Sequence, residues 1–330
     1  MQITDMKVLL AGCGSIGKRH AQVLKEMGIR NMAACDPFVS SHEAMRAVVP
    51  YAKMYTDYAA AIDDYKPDAV FILTPTAMHL SMAKQALEKN CHVFIEKPLS
   101  NIPEGTDELK ALAEKQGRIV MVGFCFRYHT VLRKAKELLK QGIIGRLISV
   151  RALMGEPFYE IQPNYLNMYY SKYSGAFELI HDLDLAIWFA EQKITEVQGM
   201  YGSYSDMGMQ SPDIVEMLIR FEDQCMANVH LDFFQSPRRR QIDLIGMNGV
   251  ITVEFASWDE ATLSVYSKND AQWRRETIPT ARNDMFRDED MDFLNCVLSG
   301  RKPDCTIDEA LKSLNAVSSI YRPMIRSNPV

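Results

Sequence analysis

A chain of 330 residues is long enough for two domains of ordinary size. With 47 % hydrophobic and 24 % charged residues it has the profile of a packed globular protein, not of a disordered one. A formal net charge of −5 gives no reason for wholesale binding to nucleic acid or to an anionic membrane, and the one dense basic run, Arg238-Arg239-Arg240, is too short for a nucleic-acid stripe.

Residues 7–11 read as a strand and 16–27 as a helix, with Ile16, Val23, Leu24 and Met27 at helical spacing. A second strand over 31–35 ends at Asp36-Pro37. Helices are expected at 41–48 and 58–64, a buried strand at 69–73, a helix at 78–89, a strand at 92–96, a helix at 104–116 and a strand at 119–122. Strands and helices alternating in this rhythm call for a doubly wound parallel sheet covered on both faces, an α/β Rossmann domain over residues 1–122. The rest, 123–330, reads differently. After a helix at 131–141, the stretches 147–153, 196–204, 214–221, 225–233, 240–245 and 250–255 are β-branched or alternating, and Met247-Asn248-Gly249 signals a hairpin. Two helices, 288–299 and 307–325, follow. Runs of strands with few intervening helices imply an α+β domain with an open, mostly antiparallel sheet.

Seven cysteines form neither a CxxC pair nor a Cys/His zinc spacing. Several sit in apolar runs, as buried thiols of a reducing compartment do. The chain opens almost at once on a strand, with no basic-then-apolar leader, and no apolar run approaches the ~20 residues of a membrane helix. The expectation is a cytoplasmic protein with no nucleic-acid or membrane partner and no metal. The twenty methionines are scattered and read as core filler.

Chemistry enters with Gly12-Cys13-Gly14-Ser15-Ile16-Gly17, which follows the first strand and opens the first helix. That context makes it a dinucleotide fingerprint: glycines for a tight turn, close backbone approach to a pyrophosphate and close helix packing, with the helix N-terminus facing the phosphates. Asp36, at the end of the second strand, is placed to accept hydrogen bonds from ribose hydroxyls and to repel a 2′-phosphate, which favours NAD over NADP. Two further segments, Thr74-Pro75-Thr76-Ala77-Met78-His79 and Glu96-Lys97-Pro98-Leu99, leave the carboxyl ends of later strands, where open α/β sheets bind ligands.

Taken with Gly123-Phe124-Cys125-Phe126-Arg127-Tyr128, these motifs resemble the glucose–fructose oxidoreductase / inositol dehydrogenase / MocA family, and the resemblance runs the length of the chain. It implies a Rossmann domain followed by an α+β domain, and hydride transfer between a nicotinamide and a hydroxyl or carbonyl carbon of a sugar, polyol or sugar acid. It places Thr74, Pro75, Thr76, His79, Glu96 and Arg127 with the cofactor. It also places Lys97 beside the nicotinamide and the reacting oxygen, with Glu96 on the ribose or holding Lys97. A cis bond before Pro98 is common in the family. The family's second motif corresponds to residues 174–184, where His181 is the candidate general base or acid and Glu178, three residues earlier and expected on the same helix face, stands where an aspartate is usual. The usual glycine run is reduced to Gly175. Substrate candidates are Tyr128, Tyr165, Tyr169 and Asp182, with Asn164, Tyr170, Lys172 and Tyr173 nearby; a tyrosine offers a sugar both an apolar face and a hydroxyl. Arg238–Arg240 could bind a carboxylate, with a surface or interface role the simpler alternative. By the same resemblance the chain forms a homodimer or homotetramer through its second sheet. Two alternatives stay open on this scaffold: a glycosidase or dehydratase using NAD transiently, and a non-catalytic dinucleotide sensor.

Overall fold

The structure is a computed structural model, and it describes residues 2–168 and 172–321. By internal contacts the chain forms two compact units. One is Met1–Tyr128 with Asn283–Leu314, and the other is His129–Arg282 with Asn315–Val330. The expected boundary near residue 122 falls inside the first, which the chain re-enters late.

The first unit is the parallel sheet. Strands β1 (Val8–Ala11), β2 (Met32–Cys35), β3 (Lys53–Tyr55), β4 (Ala69–Ile72), β5 (His92–Glu96) and β6 (Val120–Gly123) alternate with helices α1 (Ser15–Glu26), α2 (Val39–Val48), α3 (Tyr58–Tyr65), α4 (His79–Glu88) and α5 (Thr106–Gln116). Their order across the sheet is β3-β2-β1-β4-β5-β6, all parallel. β1, β2, β4 and β6 are buried at every position, as strands covered on both faces must be, and this explains their unbroken apolar sequences. The order reverses between β1 and β4, and in open α/β sheets ligands bind beyond the carboxyl ends of the strands at such a reversal. β3 was not expected: three residues, Lys53-Met54-Tyr55, carry no period, and pairing with β2 alone makes them a strand.

The second unit begins with α6 (Thr130–Lys140) and β7 (Leu147–Gly155); α7 (His181–Ala190) precedes β8 (Ile194–Gly202), β9 (Ile214–Phe221), β10 (Met226–Asp232), β11 (Arg239–Gly246), β12 (Gly249–Glu254), β13 (Glu260–Ser267) and β14 (Gln272–Pro279). Eight strands lie in the order β14-β13-β12-β11-β7-β10-β9-β8. Every pair is antiparallel except β7 with β10. The β11–β12 hairpin turns at Met247-Asn248, where the sequence signalled it. β9 alternates buried Val215, Met217, Ile219 and Phe221 with exposed Glu216, Leu218 and Arg220, the signature of a sheet with one covered face. α6 and α7 pack on that face.

The chain then returns through α8 (Arg282–Ser299) and α9 (Ile307–Ile320). All seven cysteines are free and buried. Among the described residues, no helix is long and apolar enough to cross a membrane.

Candidate active site

The glycine-rich loop owes its shape to two steric demands. Gly12 has φ +108°, and a Cβ there would lie 2.5 Å from the carbonyl oxygen of Leu73. A Cβ on Gly17 would lie 2.0 Å from the carbonyl oxygen of Gly12, so only glycine lets α1 start this close to the loop. Gly14 is different: nothing lies within 4 Å of where its Cβ would be. Gly14 and Ser15 are exposed, Ile16 is half-buried, and no side chain caps the start of α1. The loop therefore offers uncapped amides and open space for an anionic group. Asp36 braces the same loop. Its Oδ2 accepts the Cys13 backbone N–H (2.9 Å) and its Oδ1 that of Phe38 (2.9 Å).

The segments after β4 and β5 leave the same edge of the sheet as this loop: β4 pairs with β1, and β5 is the next strand along. Thr74 is half-buried, Pro75 exposed and Thr76 buried in a 3-10 turn, Thr76–Met78. His79 is buried, with Nδ1 2.9 Å from the Pro98 carbonyl and Nε2 2.9 Å from the Thr74 carbonyl. It ties the two turns together, and burial pulls its pKa down against those carbonyls. Glu96 is buried and its Oε2 accepts the backbone N–H of Lys97 (2.7 Å), so it holds the Lys97 peptide. Lys97 itself is half-buried, and the Lys97–Pro98 bond is cis. Arg127 and Tyr128 lie in a 3-10 turn and are buried. Arg127 faces Glu309 (Nη1 to Oε2, 3.7 Å), and the Tyr128 hydroxyl donates to Asp292 (2.6 Å). Burial, then Asp292, pushes that phenol far above its usual range.

In the second unit, Gly175–Glu178 is a 3-10 turn and α7 starts afresh at His181. Glu178 and His181 thus do not share a helix, contrary to the expectation from their spacing, because the non-helical Leu179 (φ −73°, ψ 33°) interrupts the run between them; left-handed Gly175 (φ +56°) opens the preceding turn. A Cβ on Gly175 would lie 2.1 Å from the Pro212 carbonyl, which explains the one glycine retained there. Glu178 is buried and His181 half-buried. Asp182 is committed elsewhere: Arg240 grips it twice, Nε to Oδ1 at 3.0 Å and Nη2 to Oδ2 at 2.7 Å, both side chains buried. Arg238 pairs with Glu156 (3.3 Å) and lies over Trp258, while Arg239 is exposed. Tyr165 is half-buried and donates to the Met207 carbonyl (2.6 Å). Tyr169 and Tyr170 lie outside the described residues.

Sequence reasoning passed over His20, Glu289 and Asp290, each of which has a side-chain nitrogen or oxygen within 4.8 Å of one on the other two. The signal was present: His20 occupies the apolar face of α1 with Ala21, Val23 and Leu24, and Asp290 sits between Phe286 and Phe293 on the buried face of α8. A polar residue on a core-facing stripe asks for a partner.

Comparison with known proteins agrees with this architecture. Residues 6–124 match the oxidoreductase family with an NAD-binding Rossmann fold, and residues 132–252 match the GFO/IDH/MocA C-terminal domain. The chain belongs to the Gfo/Idh/MocA oxidoreductase family. It is 29 % identical over 256 residues (74 % of this chain, 71 % of the relative) to the inositol 2-dehydrogenase/D-chiro-inositol 3-dehydrogenase of Lacticaseibacillus casei. It is 25 % identical over 289 residues (83 % and 77 %) to the NADP-dependent D-xylose 1-dehydrogenase of Haloarcula marismortui. The crystal structure of myo-inositol 2-dehydrogenase from Lactobacillus plantarum shares the fold, with a TM-score of 0.81 at 24 % identity over 95 % of both chains.

Proposed function

We propose that this protein oxidises or reduces a CH–OH carbon of a polyol, sugar or sugar acid, with NAD preferred over NADP. The observation that carries the reading is the carboxyl edge of the parallel sheet, where the open Gly14 backbone, the Asp36 carboxylate and the Glu96-anchored Lys97 turn follow β1, β2 and β5, on either side of the order reversal between β1 and β4. A dinucleotide fits this edge on its own geometry. Gly14 leaves room for the pyrophosphate, the uncapped amides of Ser15 and Ile16 face it, and Asp36 suits ribose hydroxyls. Thr74, Pro75, Thr76 and Glu96 lie at the ends of strands of the same edge and are assigned to the cofactor; His79 and Arg127 are buried, which suits support of the site. The bound nicotinamide supplies the two-electron redox chemistry.

The protein's part is proton handling and charge. Lys97 presents its ammonium to the substrate oxygen as negative charge develops there. His181 takes the hydroxyl proton in oxidation and returns it in reduction. Glu178 supports His181 from the preceding turn. Of the substrate candidates, the Tyr128 hydroxyl, the Tyr165 hydroxyl and the Asp182 carboxylate are each engaged within their own units, by Asp292, the Met207 carbonyl and Arg240; half-buried Tyr165 is left its ring face for a sugar, and Tyr169, outside the described residues, stays a candidate from the sequence alone. Relatives that act on an inositol and on D-xylose support a carbohydrate-like substrate.

The test is a panel of polyols, sugars, amino sugars and sugar acids with each dinucleotide, read by absorbance at the reduced-nicotinamide band. At least one polyol or sugar is expected to turn over, faster with NAD, and Lys97→Ala should lower kcat by about 10²–10⁴-fold. Tightly held dinucleotide with no net reduction of added cofactor would point instead to transient redox chemistry, and unchanged turnover in Lys97→Ala would remove Lys97 from the mechanism.

A further inference from the structure

Three elements of the first unit, α1, β5 and α8, bring four ionisable side chains together in its interior: His20, Glu96, Glu289 and Asp290. His20, Glu289 and Asp290 are fully buried and Glu96 is 8 % exposed. His20 Nδ1 lies 2.8 Å from Asp290 Oδ1, and its Nε2 lies 3.6 Å from Glu96 Oε1, an ion-pair contact. The other Glu96 oxygen holds the Lys97 N–H. The imidazole is caged by Phe71, Phe94 and Phe286, with ring centroids 5.7, 5.2 and 5.4 Å away. His20 Nε2, both Glu289 oxygens and Asp290 Oδ2 find no hydrogen-bond partner among the described residues, so the link from His20 to Glu96 is an electrostatic contact and not a hydrogen bond.

Such a cluster is costly. An apolar filling of the same volume is often as stable as a buried ion pair or more so, and every orphaned oxygen adds a desolvation penalty. Its geometry has a direction, however. Asp290 backs one nitrogen of His20, and the other nitrogen faces the carboxylate that fixes the Lys97 peptide. His20 also sits one helical turn beyond Gly17, on the helix that begins at the dinucleotide loop. A chain of contacts therefore runs from that loop's helix to the turn carrying Lys97, with the attraction of charge as its His20–Glu96 link.

The geometry points to His20 and Asp290 as positioning residues: the Asp290–His20–Glu96 chain holds Glu96, and through it sets Lys97 against the cofactor loop. This deepens the proposed function and rests on Lys97 acting at the substrate oxygen. His20 works as a cation between two carboxylates. Burial alone would pull its pKa down, but Asp290 and Glu96 outweigh it and raise it to about 10. Burial, then the charge of Glu96, drives Glu289 well above the usual carboxylate range, toward the neutral acid. His20 is faced by Glu96 from β5 and by Glu289 and Asp290 from α8.

The experiment compares the full-length protein with His20→Gln, Asp290→Asn and the double variant, using the best substrate from the panel. Each single change is expected to lower kcat about 10–100-fold, as displacement of a reacting group by about 1 Å does, while the dinucleotide KM stays within about threefold. The double variant should be no worse than the poorer single one, as for residues in one chain. A second readout is independent of turnover. Side-chain 15N NMR of the cofactor-free protein should show an imidazolium at pH 8 that disappears in His20→Gln and titrates lower in Asp290→Asn. Wild-type kcat in both folded single variants overturns the positioning role, and so does a neutral His20 at pH 7. A stoichiometric metal found by elemental analysis, lost in Asp290→Asn, also overturns it, because the cluster would then be an ion site. Loss of activity in Lys97→Ala with none in His20→Gln sinks this inference alone; unchanged activity in Lys97→Ala sinks the reading beneath it.

Discussion

Asp36 has one task in this structure and a second in the proposed function, and a single substitution separates them from mere strand termination. It braces the glycine loop through the Cys13 N–H, and it presents a negative group where ribose hydroxyls are expected. Hydrogen bonds to a charged group contribute about 1.5–3 kcal/mol. Asp36→Ala should therefore raise the Kd for NADH about tenfold or more, measured by fluorescence titration, and shift the NADP/NAD preference toward NADP. An unchanged Kd and preference would make Asp36 a structural turn residue. At this scale the sequence was most informative where motif and geometry are local. Gly12, Gly17, Asp36 and the Glu96-Lys97 turn stand where their spacing put them. It was least informative where a partner is distant. Tyr128 and Asp182 looked available for substrate because they lie beside family motifs, yet their partners, Asp292 and Arg240, come from 164 and 58 residues away. His20 and Asp290 are 270 residues apart, and nothing in either neighbourhood announces the other.

The start of α1 offers a matched pair of substitutions on one element. A methyl group on Gly17 collides with backbone, the Gly12 carbonyl, and backbone does not yield as a flexible side chain does. Overpacking of this kind costs about 1–3 kcal/mol. Gly17→Ala should lower Tm by several degrees and weaken dinucleotide binding together. A methyl group on Gly14 meets nothing, and its φ of −69° suits alanine. Gly14→Ala should leave the Tm of the cofactor-free protein within about 1 °C while dinucleotide affinity falls, because the methyl fills the space that the ligand needs. Calorimetry with and without NAD checks both. Equal Tm losses, or unimpaired binding in Gly14→Ala, would mean that this space is not the pyrophosphate site. The elements that escaped the sequence reading were those whose stability is not their own. β14 reads Gln-Trp-Arg-Arg-Glu-Thr-Ile-Pro, exposed at nearly every position. It is an edge strand defined by pairing with β13, so it carries no apolar alternation to detect. The α8 helix starts six residues before its apolar pattern becomes clear, in the polar stretch from Arg282.

For the whole molecule, the buried charges set how stability responds to pH. The folded pKa of His20 is raised from 6.5 to about 10, so its contribution is complete below pH 6.5 and is lost as pH rises through about 10. Glu289 and Asp290 are raised as well, chiefly by burial, and therefore act in the same direction. The urea midpoint should fall between pH 7 and pH 10, and His20→Gln should flatten that slope; a midpoint that rises over this range would contradict the charge assignment. The second sheet bears on assembly. Its helix-free face presents Leu218 and Met226, 47 % and 45 % exposed, on the neighbouring strands β9 and β10, alternating with core residues that point the other way. A stable dimer needs about 800 Å² from each partner, and a second copy seated on this open face would cover both side chains. We expect a homodimer or homotetramer built on this face, with a light-scattering mass that is a multiple of 37.6 kDa. Leu218→Glu with Met226→Glu adds like charges to both copies and desolvates them on association, so the mass should drop toward one chain while the Tm of each unit's core changes little. A wild-type protein that elutes as one chain at micromolar concentration leaves this face as ordinary surface and places any assembly elsewhere.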